Sequence, residues 1–395
     1  MPNEKEVFGM PKVLITFRTK SVTAISRSAR GIVAMILKNE DTDVIKTYKI
    51  ADVTDIPDTG LTAPNVDLIK KCLLGTPLRI LVYTIPNDDV EGKTLTQADA
   101  LKQLATIKWN WICAPTASGQ EMEDLGSWIK AQRNNKKKTF KAVLANQPAD
   151  DMGIVNFCTG NIKVPDPDAD SASAADVAVV GQAAAADAAD DGYITYTAAQ
   201  YTARIAGILA GLSLDRSATF YQLTEVESVE KYEDIDTLID SGQLLLIDEG
   251  EGDGVKIARA CNSLTTFTTD VGEMFRYIKI VEAVDMIHDD IRDTFKSDYV
   301  GKVINDYNHK MLFIAAIGVY FNGLKGNVLD NSPTANNYVD IDEAEQKDYA
   351  TLHGDDVSEM SVQQIREYNT GTNVYLTGRI TPVNAMEDLK IDFTM

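Results

Sequence analysis

Histidine is what this sequence has least of: three residues in 395, His288, His309 and His353, all in the C-terminal third. A Ser-His-Asp or Cys-His site needs an imidazole beside its nucleophile. The N-terminal two thirds could build one only against C-terminal segments, and no H-E-x-x-H, G-x-S-x-G or G-x-G-x-x-G occurs. Cysteine is nearly as scarce. Cys72, Cys113, Cys158 and Cys261 lie far apart without a C-x-x-C pair; this excludes a zinc or disulfide framework and suits buried thiols in a reducing compartment. The longest apolar run, Met311 to Phe321, has eleven residues, whereas a membrane-spanning helix needs about 20. The opening MPNEKEVFGMPK carries acids and no apolar core, so no secretory signal is expected. Positive charge is also short. Lys plus Arg (38) against Asp plus Glu (59) leaves −21, a surface that repels nucleic acid and anionic lipid.

The remaining motifs are equally negative. Gly92-Lys93-Thr94 could close a P-loop, but the loop would begin at Asn87 and carry Asp88 and Asp89 into a phosphate cradle. Asp166, Asp168 and Asp170 match the first ligand positions of a calcium loop, yet Ser171 replaces its glycine and Val177 its bidentate Glu. His288, Asp289 and Asp290 are adjacent on a helix and diverge. Neither catalytic nor metal-ligating residues nor a cofactor are expected, and the enzyme hypothesis has no positive support.

What is present is an ordinary globular composition, 44% hydrophobic and 25% charged, in a chain long enough for two or three domains. Between Pro11 and Lys38 stand Lys12, Arg18, Lys20, Arg27, Arg30 and Lys38 and no acid. Val13, Ile15 and Phe17 alternate with Leu14, Thr16 and Arg18 as in a half-buried strand, and IVAMIL after Gly31 reads as another. The first strand could be an edge of the protein's own sheet or an arm that leaves it. From Leu61 to about Asn156 the period switches repeatedly. Helices are expected at Asn65–Leu74, Thr96–Ala105 and Ser118–Arg133, and strands at Leu78–Ile85, Ile107–Cys113 and Phe140–Ala145. That alternation predicts a parallel α/β layer structure.

Val164 to Gly192 breaks the order: it is mostly Ala and Asp, with seven acids and no base. So little large apolar surface cannot offset the entropy of ordering, and a surface insertion is expected. The core resumes with a helix over Tyr196–Ser213, whose Ala206, Gly207, Ala210 and Gly211 permit close approach of another backbone. Strands follow at Gln243–Asp248 and Val255–Ala260, then helices at Glu273–Phe295 and Gly301–Leu324. Asp340–Glu359 holds eight acids against Lys347. Val374–Val383 and Leu389–Phe393 close the chain as strands.

Five stretches in order, YTARIAGILAGL (Tyr201–Leu212), VKIARACNSLTT (Val255–Thr266), IKIVEAVDMIHDDIRDTF (Ile278–Phe295), YVGKVIN (Tyr299–Asn305) and GRITPVNAMEDLKIDF (Gly378–Phe393), resemble the contractile tail sheath proteins of phages and phage-tail-like particles. Residues 11–40 resemble that family's N-terminal arm. The resemblance implies a mixed α/β fold: a layered core of subtilisin-like arrangement, a C-terminal α+β domain and extended terminal arms. The expected boundaries are an arm over 1–30, the α/β region over 31–270 with its insertion at 164–192, a helical and mixed domain over 271–371, and arm strands over 372–395. It further implies a structural subunit without enzymatic activity, stacking in six-subunit rings around an inner tube and passing from an extended to a contracted lattice. Its partners would be itself, a tail tube protein, baseplate proteins and a terminator or cap, with neither nucleic acid nor membrane insertion. Assembly is expected in the host bacterial cytoplasm, and the product would be a virion tail or a released particle. The alternative left open is a cytosolic α/β enzyme or nucleotide-binding protein without a recognisable motif.

By the same resemblance the terminal strands add to a sheet in neighbouring subunits, which assigns inter-subunit contacts to Val13, Ile15, Phe17, Arg18, Leu389, Ile391 and Phe393. A short helix in SEMSVQQIREY (Ser358–Tyr368) either touches the tube, through Glu359, Arg366 and Glu367, or caps its own domain. Burial of the six apolar arm residues would contribute on the order of 9–18 kcal/mol gross. Fixing about twenty arm residues costs about 1–2 kcal/mol each. Such arms are expected to order only where partner strands supply hydrogen bonds.

Overall fold

The computed structural model describes residues 24, 25, 27, 30–39, 43–166, 192–250 and 252–394. Val13, Ile15, Phe17, Arg18 and most of the Ala/Asp-rich insertion lie outside them. The chain divides into two units: a larger one of Ser26–Asp293, Leu324–Asn336 and Ile380–Met395, and a smaller one whose main segments are Thr294–Gly323 and Asn337–Arg379. The chain therefore leaves the larger unit twice and returns to it twice.

The larger unit is built on a seven-stranded sheet. Its strands are β1 (Ile32–Asn39), β2 (Lys46–Ile50), β3 (Arg79–Pro86), β4 (Trp111–Cys113), β5 (Lys141–Ala145), β6 (Ile154–Phe157) and, after a small hairpin of β7 (Ile162–Pro165) and β8 (Tyr193–Tyr196), β9 (Gln243–Leu244). The order is β2-β3-β1-β4-β5-β6-β9, parallel throughout except for β2 against β3. IVAMIL thus forms most of β1, which lies inside the sheet between β3 and β4. A strand covered on both faces must be apolar on both. Val33, Met35 and Leu37 enter one buried cluster, and Ile32, Ala34 and Ile36 the other.

Helices α1 (Ala63–Leu73), α2 (Gln97–Leu104), α3 (Gly119–Lys136) and α4 (Ala198–Gly211) supply the covering layers. Leu68, Ile69 and Cys72 of α1 pack with Tyr201, Ile205 and Ile208 of α4 in the first cluster; Leu101, Leu104, Leu125 and Ile129 of α2 and α3 fill the second. Reciprocal capping boxes start three of these helices, at Thr96/Asp99, Ser118/Glu121 and Thr197/Gln200. The small residues of α4 do admit a backbone: a Cβ on Gly207 would stand 2.1 Å from the Cys72 carbonyl oxygen. The rest of the unit comprises α5 (Ile235–Asp240), the hairpin of β10 (Leu246–Asp248) and β11 (Val255–Ile257), and α6 (Ile278–Thr294).

In the smaller unit, a π-helical turn at Phe295–Tyr299 precedes α7 (Tyr307–Leu324), and β12 (Tyr338–Ile341) pairs antiparallel with β13 (Leu376–Arg379) around α8 (Glu343–Leu352) and α9 (Val362–Glu367).

Four expectations need correction. Gln243–Asp248 is not one strand: β9 joins the large sheet, and β10 turns away to pair with β11. The strand expected over Ile107–Cys113 begins only at Trp111, because Trp109 is buried with its indole N–H donated to the Leu104 carbonyl. The helix expected from Gly301 starts at Tyr307, since Gly301 takes a left-handed φ of 71° and Asp306 accepts the backbone N–H of His309 (2.8 Å). Leu389–Phe393 forms no strand within the single chain, where no described residue pairs with it.

Candidate assembly site

The C-terminal arm is anchored before it becomes free. Asp330 donates its backbone N–H to the Thr381 carbonyl (2.8 Å) and Val383 donates to the Val328 carbonyl (2.9 Å). Lys279 of α6 donates from Nζ to the Val383 carbonyl (2.5 Å), and burial holds its pKa below the ordinary lysine value. Glu387 Oε1 accepts hydroxyl protons from Ser217 and Thr219, each at 2.8 Å, and Arg259 Nη2 pairs with Asp388 Oδ1 at 2.6 Å. Beyond that point the apolar row is bare: Leu389, Ile391 and Phe393 are 85%, 57% and 87% exposed. They alternate with Lys390 and Asp392, so an extended backbone would put all three on one face.

Among its described residues the smaller unit carries a two-stranded sheet. β12 and β13 pair from Tyr338↔Arg379 to Ile341↔Leu376, and Asp342 continues the ladder to the Tyr375 carbonyl (3.1 Å). Among the described residues no third strand joins either edge, and unpaired edges are templates for strand addition. A buried polar knot supports this sheet. Lys310 Nζ donates to Gln346 Oε1 (2.7 Å) and Thr370 Oγ1 (3.1 Å), and the Gln346 amide donates to the carbonyls of Ile365 (2.6 Å) and Arg366 (3.1 Å). Arg366 is engaged within the unit, donating to Asp340 of β12 (2.5 and 3.1 Å) and to Glu343 of α8 (2.9 Å). Glu359 and Glu367 are exposed. Of the three residues singled out here, Glu359 precedes α9, Glu367 accepts the Gln363 side-chain amide (2.5 Å) at its end, and Arg366 fastens the helix to β12.

A second cluster lies around Arg30, just before β1. Arg30, Arg133 and Lys141 face Glu282, Asp285 and Asp289 of α6. Arg30 Nη2 donates to Glu282 Oε2 at 2.5 Å, Arg133 donates to both Asp285 oxygens at 2.9 and 3.1 Å, and Lys141 Nζ lies 3.1 Å from Glu282 and 3.0 Å from Asp285. Thr139 Oγ1 donates to Asp289 (2.7 Å). Burial pushes the pKa values of Glu282 and Asp285 up, but the facing cations outweigh it and hold both below the usual carboxylate range. Burial acts on Asp289 in the same sense, and its hydrogen bonds with His288 and Thr139 and the charges of Arg292 and Arg30 hold it down at about 2. Sequence reasoning missed this cluster. Its signal was a lysine inside the otherwise apolar strand FKAVLA, matched by Glu282, Asp285 and Asp289 at helical spacing. The candidate P-loop residues form a surface turn instead, with Asp88 paired to Lys38 and Lys93 at 2.7 Å each.

Comparison with known proteins decides what these surfaces belong to. The chain is 33% identical to the tail sheath protein of Clostridium phage phiCD119 over 399 residues, covering 98% of this chain and 99% of that one. The chain belongs to the tail sheath protein family. Residues 270–395 of this sheath chain also match the family model for the phage tail sheath C-terminal domain. Its fold is shared with the sheath tail protein of Desulfitobacterium hafniense (18% identity, TM-score 0.62, 83% of this chain and 93% of that one). The same fold occurs in the helical sheath of the anti-feeding prophage in its contracted state (14% identity, TM-score 0.65, 98% and 99%). The sheath chain is a structural subunit. Its relatives are structural proteins rather than enzymes, so the enzyme or nucleotide-binding alternative has no support. Among the described residues no helix is long and apolar enough to cross a membrane.

Proposed function

We propose that copies of this chain assemble into rings of six around an inner tail tube and shift from an extended to a contracted lattice, each subunit donating its terminal arms to its neighbours. The observation that carries the reading is the firmly anchored root at Val383–Asp388 that ends in the bare row Leu389, Ile391 and Phe393. In water three such side chains leave about 1.5–3 kcal/mol each unrealised. The edges of the β12–β13 sheet, unpaired among the described residues, would supply the missing partner. The arm of one copy, and Val13, Ile15, Phe17 and Arg18 of another, would extend that sheet in a third, exchanging main-chain hydrogen bonds and burying alternate side chains. Connections made through exchanged terminal strands would persist while the lattice changes, and two lattice states from one subunit amount to a bistable assembly.

The tube protein would meet Glu367 of α9 and Glu359 just before it, with Arg366 holding the helix in place; baseplate and cap proteins would close the two ends. Assembly would take place in the host bacterial cytoplasm. Electron microscopy of the purified chain tests the reading: hollow tubes or stacked rings support it, and discrete monomers at all concentrations overturn it.

A further inference from the structure

In a chain of charge −21, cations without a carboxylate of their own stand out. From Leu125 to Ala149 the sequence carries Lys130, Arg133, Lys136, Lys137, Lys138 and Lys141 and no acid. Arg133 and Lys141 are used in the buried cluster, and Lys130 donates to the Ala149 carbonyl. Lys136–Lys138 form the tip where α3 ends, with Lys137 in the left-handed capping conformation (φ 52°) and Lys138 over the Phe140 ring. Lys136 and Lys137 are exposed, and none of the three pairs with a carboxylate among the described residues.

The larger unit also carries an acidic groove of about 800 Å³ beside the root of the C-terminal arm. Ile235 and Ile239 of α5 give it an apolar floor. Glu233, Asp236 and Glu273 line it without a cationic partner among the described residues. Glu387 contributes a buried carboxylate: its side chain is 7% exposed, and Oε2 accepts no hydrogen bond, with Arg259 Nε at 3.4 Å. No three of the described acids are placed to hold a metal ion, so the groove suits an extended run of cations rather than a point charge.

We propose that this groove receives the Lys136–Lys138 tip of a second copy of the chain. The aliphatic stems of the lysines would cover the apolar floor while their ammonium groups reach the unpaired carboxylates. Such a contact joins unlike surfaces head to tail, the type that builds rings or helical polymers. The contact deepens the self-assembly reading and is separate from the arms.

Two measurements test it. Unlabelled and ¹⁵N-labelled wild-type chains are mixed at low salt, joined with a zero-length carbodiimide and digested. Mixed-isotope cross-links from Lys136–Lys138 to Glu233, Asp236 or Glu273 are expected, and their absence overturns the contact. Cross-links without tubes would uphold the contact and overturn the sheath reading, whereas tubes without cross-links would do the reverse. In the second measurement Lys136, Lys137 and Lys138 are changed to Glu, or Glu233, Asp236 and Glu273 to Lys. Each triple reversal should lower the polymerised fraction roughly tenfold or more while the monomer melts as wild type. The chain with both reversals should recover polymerisation, and the defect of either alone should shift with salt. No recovery in the combined chain overturns the proposal. So does rescue of the groove reversal by acids placed at Lys12, Arg18 and Lys20 instead.

Discussion

Lys141 of β5 and Asp285 of α6, 144 positions apart, meet at 3.0 Å with the lysine side chain 1% exposed. The pair ties α6 to the large sheet, and Arg133 and Glu282 complete it on either side. A charge buried there is costly unless paired, so removing one partner exposes the penalty. Lys141→Met should destabilise the folded chain by about 3–5 kcal/mol, read as a lower urea midpoint with unchanged slope. Adding Asp285→Leu should not recover that loss, because it leaves Arg133 buried without its carboxylate.

The same cluster sets an acid limit. A carboxylate whose folded pKa is depressed contributes stability above its unfolded value, about 4, and loses it as pH falls through the folded value. Glu282 and Asp285 are shifted down, and Asp289 is held at about 2. The melting temperature should therefore fall between about pH 4 and pH 2. Asp289→Asn should flatten part of that slope, and an unchanged profile would contradict the assignment.

Gly207 reverses an ordinary rule. Alanine in a helix interior is usually the more stable residue by about 0.5–1 kcal/mol. Here the new Cβ would sit 2.1 Å from the Cys72 carbonyl oxygen, where backbone packs on backbone. Gly207→Ala should cost about 1–3 kcal/mol, measured by thermal or urea unfolding.

The insertion should be dispensable. Asp166 donates its backbone N–H to the Gly192 carbonyl (3.0 Å) at the end of the β7–β8 hairpin, so the residues that flank the insertion lie side by side. Replacing residues 167–191 with a short Gly/Ser turn should leave melting and tube formation unchanged, because loop length contributes only weakly to stability. Loss of tubes from a normally melting chain would show that the segment has a role in assembly.

The parallel layer structure was legible because its strands and helices carry their own signals. β1 and β3 are long apolar runs, and α2, α3 and α4 open on Thr or Ser followed three residues later by Asp, Glu or Gln. The split between β9 and β10 was not legible, since Leu245 continues the apolar run and only the partner strands differ. The buried cluster was hidden for a related reason: Glu282, Asp285 and Asp289 look like the solvated face of an amphipathic helix until α3 supplies Arg133 and β5 supplies Lys141. Alternation at Leu389–Phe393 identified a strand-like row, but a strand needs a partner that the single chain does not provide.

Ile391→Asp, assayed for melting and tube formation on the same sample, tests most directly whether the arms join subunits. At 57% exposure Ile391 contributes little to the monomer's own core, while a buried, unpaired charge in an intermolecular sheet would cost several kcal/mol. A wild-type melt with no tubes is expected; normal tubes, or a lowered melting temperature, would show that the row does not join subunits.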